Sequence, residues 1–581
     1  MTPSIGNAGW LLGLGVLLAM GVAWGGEYAR RGMMIEQPLG LAPRIGEPEV
    51  NPAIVAPPME YRLPPLPEGM GDSLSGAERI TLQGIRVSGS TLFGEETWSG
   101  LTAPLLHRPV TLAELFELRD RITHLYIDRG YVSSGAVIPE QDIESKILEI
   151  QVVEGRLSAI QVQGNRFLDA DWITSRLERG AGVPLSTPAL EEQFQLLRQN
   201  DLIRAIHSEL RPGARPGDAV LNVRVEEANP WRAGLAWHNQ ISPNLGLDKY
   251  ELTLANRSVL GWNDPLMLKL GTADGQNDHA FSYAIPLNAR DTTFSLSMAR
   301  TTSTVTVPPF DALDIISRSR TYDLSLRHPM HRTPLDEVAI SLGFERHESR
   351  TYLLGQPFDL TAGTDNGAAV VHIIDFGQEW IHRQPNQVMA LLSRFGKGVD
   401  VGNSTAHHGD NLPDSNFLVW RGQFQWLRQL ALFNSQMQWR NALRLASRSM
   451  LATEKFSIGG LETVRGYREG LVSRDGGFVT NLDWRIPLPW RWTPALLGDA
   501  RSDGGVNLVL FGDYGTAWDH GVVAPKPRDL SSVGVGWTWS INRNSQAALY
   551  LAKSLRTTTV TPDQREMPDH GIHFRVDLAT Y

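Results

Sequence analysis

The sequence predicts a mainly β protein, in which two small α+β domains precede a sixteen-stranded, antiparallel transmembrane β-barrel. Three features indicate this class: an apolar N-terminal segment, a repeat between residues 78 and 229, and alternating apolar and polar residues in the remainder of the chain. Because no other long apolar run occurs, a membrane can be crossed only by strands that pair with one another.

The composition of the 581-residue chain limits the possible partners and sites. The formal net charge is −9 and no basic tract stands out, so no nucleic-acid partner is expected. The absence of cysteine excludes disulfides, thiolate metal sites and cysteine nucleophiles. No metalloprotease or serine-hydrolase motif occurs, and His407, His408 and Asp410 are interpreted as part of a solvated loop. We therefore expect no metal, no cofactor and no enzymatic activity, although catalytic residues that are scattered along a chain leave no such motif.

The apolar segment Ala8–Gly26 is predicted to be a signal peptide covering residues 1–26. An uncleaved anchor is the alternative, because Arg30 and Arg31 follow the segment and no basic residue precedes it. Residues 27–77 are predicted to form a short helix and a linker, since Glu36–Gly71 is dense in proline.

The repeat predicts two domains, at residues 78–156 and 157–229. Ile85–Phe93 resembles Ile160–Leu168, and Leu148–Glu154 resembles Leu221–Glu227. Each copy reads as a strand, two helices and two strands, with helical patterns at 111–128 and 188–200. Such small sheets expose edge strands that can accept an extended peptide; the alternative is a pair of spacers that bind nothing.

Residues 230–581 are predicted to form the barrel. Thirteen of the 17 tryptophans lie there, as expected for aromatic girdles at membrane interfaces. A soluble sandwich or propeller is the alternative, but several strands carry charges on their polar face, which suits a water-filled lumen. The residues predicted to line the pore are Arg440, Arg444, Arg448, Asp483 and Arg485; ordinary luminal polarity is the alternative interpretation of the three arginines.

A long connection, containing "SIGGLETVRGYREG" at Ser457–Gly470, separates the eleventh segment, at about 433–448, from the twelfth, at about 477–490. The thirteenth segment, Val506–Trp518, places Asp513 on its luminal face. A luminal carboxylate needs a partner or water, so we expect Arg465 to fold inward and form a bidentate pair with Asp513.

Three motifs, taken in order, resemble those of the TpsB family of two-partner secretion transporters, over nearly the whole chain. The loop motif is "VRGY", formed by Val464, Arg465, Gly466 and Tyr467. The strand motif is "FGDYG", with Phe511, Asp513 and Gly515. The third motif lies in "RGYVSSGAVIPEQDI", with Gly130, Tyr131, Pro139 and Gln141. The resemblance implies that the two small domains are polypeptide-transport-associated (POTRA) domains and that the loop motif reaches into the pore.

The resemblance also implies a function. An outer-membrane transporter of this kind would use periplasmic POTRA domains to bind an unfolded secreted exoprotein of the TpsA type, and would export it through the barrel without nucleotide hydrolysis. Outer-membrane lipid is the expected surrounding, and the protein is expected to be monomeric. A barrel assembly factor of the BamA type is the alternative, and a passive porin would leave the two small domains unexplained.

Overall fold

The computed structural model describes residues 60–61, 79–142, 144–308, 310–407, 412–491, 505–521, 526–541, 545–558 and 566–580. The predicted signal segment lies outside the described residues, as does the linker apart from Glu60 and Tyr61. Two compact units meet in the sequence at Ala228 and Asn229. No helix among the described residues is both long enough and apolar enough to cross a membrane.

The first small domain is built on a three-stranded sheet with two helices. Its elements, with the preceding strand β1 at Glu60–Tyr61, are β2 Ile80–Thr81, β3 Gly84–Ser88, α1 Glu95–Thr102, β4 Pro109–Val110, α2 Leu112–Ile127, β5 Gly135–Val137 and β6 Ile147–Val153. The sheet order is β3-β6-β5, with β3 parallel and β5 antiparallel to β6. Helix α2 begins with a capping box between Thr111 and Glu114, and it buries a stripe of residues at helical spacing against the sheet.

The second small domain repeats this order of elements. They are β7 Arg156–Gln163, α3 Ala170–Leu177, α4 Thr187–Arg198, β8 Ile203–Pro212 and β9 Asp218–Glu227. Helices α3 and α4 begin after the side-chain caps Asp169 and Ser186. The central strand β9 pairs with β7 on one side and β8 on the other, and β1 adds to β8 in parallel. The strand, two helices and two strands predicted from the repeat are therefore present in both copies.

The described strands of the C-terminal unit close into an antiparallel barrel of sixteen strands. These strands are β10 Trp231–His238, β11 Lys249–Asn256, β12 Leu266–Ala273, β13 Gln276–Pro286, β14 Thr293–Thr304, β15 Ile316–Arg332, β16 Asp336–Leu353, β18 Ala368–Gln384, β19 Gln387–Val399, β20 Leu418–Leu430, β21 Ser435–Ala446, β24 Gly476–Arg491, β25 Gly505–Trp518, β26 Asp529–Ser540, β27 Gln546–Ser554 and β28 Ile572–Thr580. Strand β10 closes the barrel by pairing with β28. Three short strands complete the numbering: β17 Gln356–Pro357, β22 Phe456–Ile458 and β23 Val472–Arg474.

Side chains alternate between the two faces of the barrel wall, as the period of the sequence predicts. In β21, Trp439 and Leu445 are exposed on the outside, whereas Gln438 and Arg444 are buried inside.

The connection between β21 and β24, residues 447–475, is called loop 6 here. Strands β22 and β23 pair within it, and its apolar residues form a buried cluster with the inner faces of β21, β24, β25 and β26.

Candidate functional site

Strand β25 presents the strand motif to the lumen. Phe511 and Asp513 are 6% and 4% exposed, while the flanking Leu510 and Tyr514 are about 40% exposed on the outer face. Period-two geometry therefore brings Phe511, Asp513 and Gly515 to one inner surface. This surface receives the tip of loop 6.

The guanidinium group of Arg465 binds Asp513 with two parallel hydrogen bonds. Nε donates to Oδ2 and Nη2 donates to Oδ1, each at 2.7 Å. The backbone N–H of Arg465 also donates to Asp513 Oδ2, at 3.0 Å. Arg465 is only 1% exposed. The geometry is therefore the fork-to-carboxylate pairing expected for a desolvated arginine.

A second carboxylate, Asp483 on β24, shares this arginine. Arg465 Nη2 lies 2.5 Å from Asp483 Oδ1. Arg485 and Arg440 approach the other oxygen of Asp483 at 3.7 and 4.0 Å. Asp483 was predicted from strand parity as a pore-lining residue, but the sequence did not indicate that it contacts the loop arginine. Parity fixes which face a residue occupies and leaves open which loop residue reaches it.

Aromatic and amide side chains complete the pocket around Arg465. The ring of Phe511 lies 3.7 Å from the guanidinium carbon, a cation–π distance, and the ring of Tyr550 lies at 5.3 Å. Asn481 donates to Asp513 Oδ1 at 2.8 Å and to the carbonyl of Thr463 at 2.5 Å. These contacts supply donors to the carboxylate while shielding the ion pair from water.

Gly466 of the loop motif and Gly515 of the strand motif allow the loop to approach the barrel wall closely. A Cβ atom added to Gly515 would lie 2.8 Å from Val464 Cγ2, so the inner face of β25 has room for the loop only because this residue lacks a side chain. Gly466 adopts φ +87° and its N–H donates to Nε2 of His573 on β28 at 2.8 Å. No motif or strand pattern in the sequence pointed to His573.

Tyr467 fixes the loop on the far side of Arg465. Its hydroxyl donates to the carbonyl of Ser531 at 2.9 Å and accepts a hydrogen bond from the N–H of Arg556 at 3.0 Å. Arg468 pairs with Asp569 at 2.6 Å. All four residues of the loop motif thus lie on the inner wall. The contacts of Tyr467 and Arg468 extend the attachment to β26 and to the turn that precedes β28.

The remaining predicted pore residues divide into two groups. Arg440, Arg444, Asp483 and Arg485 lie on luminal faces of β21 and β24, with Arg444 only 2% exposed. Arg448 does not: β21 ends at Ala446, and the Arg448 side chain is 47% exposed and pairs with Asp414 at 2.9 Å. The predicted placement of Arg448 on the strand wall is therefore wrong, because β21 ends two residues before it.

Two of the predicted residues of the first domain, Gly130 and Gln141, connect separate parts of the structure. Gly130 has φ +83°, and its carbonyl accepts hydrogen bonds from the N–H and Oγ1 of Thr187 in the second domain, at 2.9 and 2.7 Å. The side chain of Gln141 bonds both backbone groups of Glu149, at 2.7 and 2.8 Å, and Nε2 also donates to the carbonyl of Pro139 at 3.2 Å. Gln141 therefore substitutes for a strand neighbour along β6.

Tyr131 packs edge-on against Tyr126, with ring centroids 6.3 Å apart. The hydroxyl oxygen of Tyr126 lies 3.0 Å from Glu154 Oε1 and 2.7 Å from Ser90 Oγ. Burial raises the pKa of Tyr126 to about 12, and the neighbouring Glu154 carboxylate acts in the same direction. Burial also raises the pKa of Glu154, but hydrogen bonds from the hydroxyl and N–H of Thr91 outweigh it, so the pKa of Glu154 lies below its usual value.

One buried group in the lumen has the composition of a metal-binding cluster. Ligand atoms of Asp323, Glu345 and His347 lie within 4.8 Å of one another. Arg421 lies 3.5 Å from Glu345 and also contacts Asp375, so a cation of the protein itself faces these carboxylates. Of the histidine doublet, His407 contacts the carbonyl of Gly363 at 3.1 Å, whereas His408 and Asp410 lie outside the described residues.

Comparison with known proteins agrees with this geometry. Residues 217–539 match the family model described as haemolysin secretion/activation protein ShlB/FhaC/HecB, and residues 80–155 match that of the ShlB-type POTRA domain. The outer membrane transporter CdiB of Dickeya dadantii is 24% identical over 484 residues, which are 79% of this chain and 82% of CdiB. The heme/hemopexin transporter protein HuxB of Haemophilus influenzae is 23% identical, over 79% of this chain and 80% of HuxB.

The solved structure of CdiB from Escherichia coli has the same fold, with a TM-score of 0.63 at 20% identity over 89% of this chain and 93% of that one. The barrel, the preceding POTRA-type domain and the family match over more than half of the chain point to one assignment. The chain belongs to the haemolysin secretion/activation family ShlB/FhaC/HecB and is an outer-membrane transporter of the two-partner secretion type.

Proposed function

We propose that the two POTRA domains, residues 78–156 and 157–229, bind an unfolded exoprotein of the TpsA type in the periplasm, and that the barrel, residues 230–581, conducts it as an extended chain. No nucleotide hydrolysis or other enzymatic activity is part of this proposal. Folding of the exoprotein outside the cell would prevent its return.

The observation that carries the proposal is the edge of β8. One side of this ten-residue strand pairs with β9, whereas the other side pairs with β1 only at Glu209 and Leu210. Within the described part of the chain, no other strand covers that side. An edge that already accepts an extended segment has the geometry to accept another by backbone hydrogen bonds. Backbone recognition is independent of side chains, which suits a long unfolded substrate.

We further propose that the Arg465–Asp513 pair holds the tip of loop 6 in a fixed place during export. A buried arginine that loses its carboxylate leaves an uncompensated charge, so either single truncation should release the tip.

The large apolar side chains on the outer face of the barrel, such as Leu342, Trp439 and Leu510, support a surrounding of outer-membrane lipid. We propose that one chain forms the whole pore, because its strands close without a second copy.

Site-directed cross-linking tests the edge, because the chain has no native cysteine. Glu209→Cys on β8 should form a disulfide with a single cysteine in the secretion domain of a co-expressed exoprotein. Arg224→Cys on the central strand β9 is the control, since an added strand would lie about 4.8 Å from β8 and roughly twice that distance from β9. Equal cross-linking at both positions would contradict recognition at the edge.

Secretion tests the loop pair. Exoprotein should appear in the medium with the wild type and should be lost with Arg465→Ala and Asp513→Ala, while heat-modifiable gel mobility reports that the barrel is folded. If the wild type exports nothing and its depletion lowers the levels of other outer-membrane barrels, the function is that of an assembly factor of the BamA type.

A further inference from the structure

We infer that loop 6 has a second anchor on the barrel wall, in which Glu454 of the loop binds His347 of β16. This anchor would position the first half of the loop independently of the Arg465 contact. The inference deepens the proposed function and rests on it in one respect: it assumes that the position of loop 6 matters for export.

The contact is short and buried. Nδ1 of His347 lies 2.6 Å from Oε1 of Glu454, and the two residues are 5% and 0% exposed. On its other side, Nε2 of His347 lies 3.4 Å from Oε2 of Glu345, the luminal residue two positions earlier on β16. The imidazole therefore lies between a carboxylate of the loop and a carboxylate of the wall. A protonated imidazole can donate to both, and a neutral one to either.

Local packing makes Glu454 a fixed point of the loop. The N–H of Glu454 donates to the carbonyl of Leu451 at 2.8 Å, which closes a short 3-10 turn at Ala452–Glu454. Met450 and Leu451 are fully buried in an apolar cluster with residues of β18 and β20, among them Val371 and Val419. The turn thus enters the barrel with its carboxylate aimed at β16 and its apolar side chains against the neighbouring wall.

The two anchors lie on different parts of the barrel. Following the strand order, β16 is five strands from β24 and six from β25, the strands that hold Arg465. The loop is therefore attached to the wall at widely separated places, with β22 and the Gly459-Gly460 turn between them. Gly459 and Gly460, which both have positive φ, turn the chain between the two attachments. Release of one anchor should leave the other in place.

Two buried serines allow the halves to be observed separately. Ser457, on β22, is 6% exposed and bonds Ser473, whereas Ser532, on β26, is 1% exposed and lies beside Asp513. In a chain without cysteine, Ser457→Cys reports the first half of the loop and Ser532→Cys reports the docked tip. The test measures the rate at which a water-soluble maleimide labels each cysteine in the full-length protein in detergent.

In Glu454→Ala and in His347→Ala, we expect labelling of Ser457→Cys to accelerate about tenfold, the effect of losing one charged hydrogen bond, while Ser532→Cys stays protected. Arg465→Ala should give the opposite pattern. The double variant should label no faster than either single variant, because both changes remove the same contact. Glu462→Gln is the matched control: this loop carboxylate is 39% exposed and its nearest arginine is 3.5 Å away.

Protection of Ser457→Cys in both single variants, or independent and additive effects in the double variant, would overturn the inference. If the alanine variants do not give a heat-modifiable barrel, Glu454→Gln and His347→Asn replace them, and an unchanged rate in those variants counts against the anchor equally. In export assays, loss of the anchor should lower the amount secreted without weakening binding of the secretion domain. If wild-type cells export no exoprotein, the proposed function fails while the labelling result stands by itself.

Discussion

Gly515 illustrates how single residues decide whether loop 6 can dock. Its neighbours on the inner face of β25, Phe511 and Asp513, hold the guanidinium of Arg465, and the space above Gly515 is filled by Val464. The spacing of the strand motif is therefore explained by three successive inward positions that supply a ring, a carboxylate and a gap.

Gly515→Val should displace the loop tip, because even a Cβ atom there would lie 2.8 Å from Val464. Overpacking of this kind costs about 1–3 kcal/mol. Gly512→Val is the matched control, since a Cβ on Gly512, in the same strand, meets nothing within 4 Å. We expect Gly515→Val to lower secretion and to expose Ser532→Cys to maleimide, and Gly512→Val to do neither. Equal effects of the two substitutions would show that strand stability, not docking, was affected.

The two carboxylates around Arg465 should not be equivalent. Asp513 makes two side-chain bonds and one backbone bond to Arg465, whereas Asp483 makes one. Removing one partner of a buried pair costs about 3–5 kcal/mol, so Asp513→Ala should lower the midpoint of urea unfolding strongly. Asp483→Asn keeps an acceptor for Arg465 and should cost roughly half as much or less. The prediction is wrong if Asp483→Asn destabilises the barrel as much as Asp513→Ala does.

Sequence reasoning reached the Arg465–Asp513 contact because period-two alternation assigns Asp513 to the lumen and leaves a buried charge that needs a partner. It could not predict that Asp483, His573 and His347 contact loop 6, since nothing in the alternation says which luminal residue a folded loop touches. Arg448 was assigned to the wall wrongly because it continues the spacing of Arg440 and Arg444, although β21 ends at Ala446.

At the scale of elements, the two POTRA domains share one hydrogen-bonded contact between their strands and loops. In each domain, a glutamate at the end of the last strand or directly after it accepts hydrogen bonds from the residues that follow β3 or β7. Glu154 accepts the N–H and hydroxyl of Thr91, and Glu227 accepts the N–H groups of Arg166, Phe167 and Leu168. Gly89 and Gly164 precede these contacts with φ near +85°, where a Cβ would clash with the carbonyl of the last strand.

Glu154→Ala should remove the hydrogen bonds that join the end of β6 to Thr91 in the first domain, a contact called the Glu154 joint here. Amides near Thr91 should exchange with solvent roughly tenfold faster, the effect of losing charged hydrogen bonds of about 1.5 kcal/mol or more. Hydrogen exchange of the full-length protein, read by mass spectrometry, measures this locally. Glu149→Ala is the control, because its carboxylate is exposed and contacts Arg86 at 3.3 Å. Unchanged exchange in Glu154→Ala would contradict the proposed joint.

The same joint should weaken in acid. Because the pKa of Glu154 is lower in the folded state than the ordinary pKa of a glutamate, the carboxylate stabilises the fold at neutral pH. That contribution is present above the ordinary value and is lost as the pH falls through the lowered one. Local protection at Thr91 should therefore decrease below about pH 4 in the wild type, and Glu154→Gln should abolish this dependence.

The order of elements in these domains could be predicted because the repeat supplies two readings of one pattern. The pairing of β1 with β8 could not, since two residues in a proline-rich segment carry no period. The short hairpin of β22 and β23 was missed for a related reason: each strand has only three residues, and all three residues of β22 are buried, so no alternation is visible.

At the scale of the whole molecule, the alternating pattern predicted a barrel of sixteen strands because lipid outside and water inside impose opposite requirements on successive residues. The inner wall is correspondingly rich in compensated charge; for example, Lys249 pairs with both Glu251 and Asp278, and Lys269 pairs with Glu251. Which inner-wall charges pair depends on the register between strands, which strand parity alone leaves open.

The last prediction concerns the edge of β8 that we propose binds the exoprotein, together with the linker residues that pair with it. If an exoprotein adds to β8, then Glu60 and Tyr61 occupy part of its binding site, and binding must displace them. The displaced contact is small, about one or two backbone hydrogen bonds worth ~1 kcal/mol each, so it would weaken binding by about five- to thirtyfold. Replacing both residues by proline removes both N–H groups and should strengthen binding of the secretion domain by that factor. The matched control replaces both by alanine, which retains the N–H groups and should leave the affinity close to that of the wild type. Calorimetric titration of the full-length transporter with a purified secretion domain measures the difference, and weaker or unchanged binding by the proline variant would mean that the exoprotein does not use the side of β8 that β1 occupies.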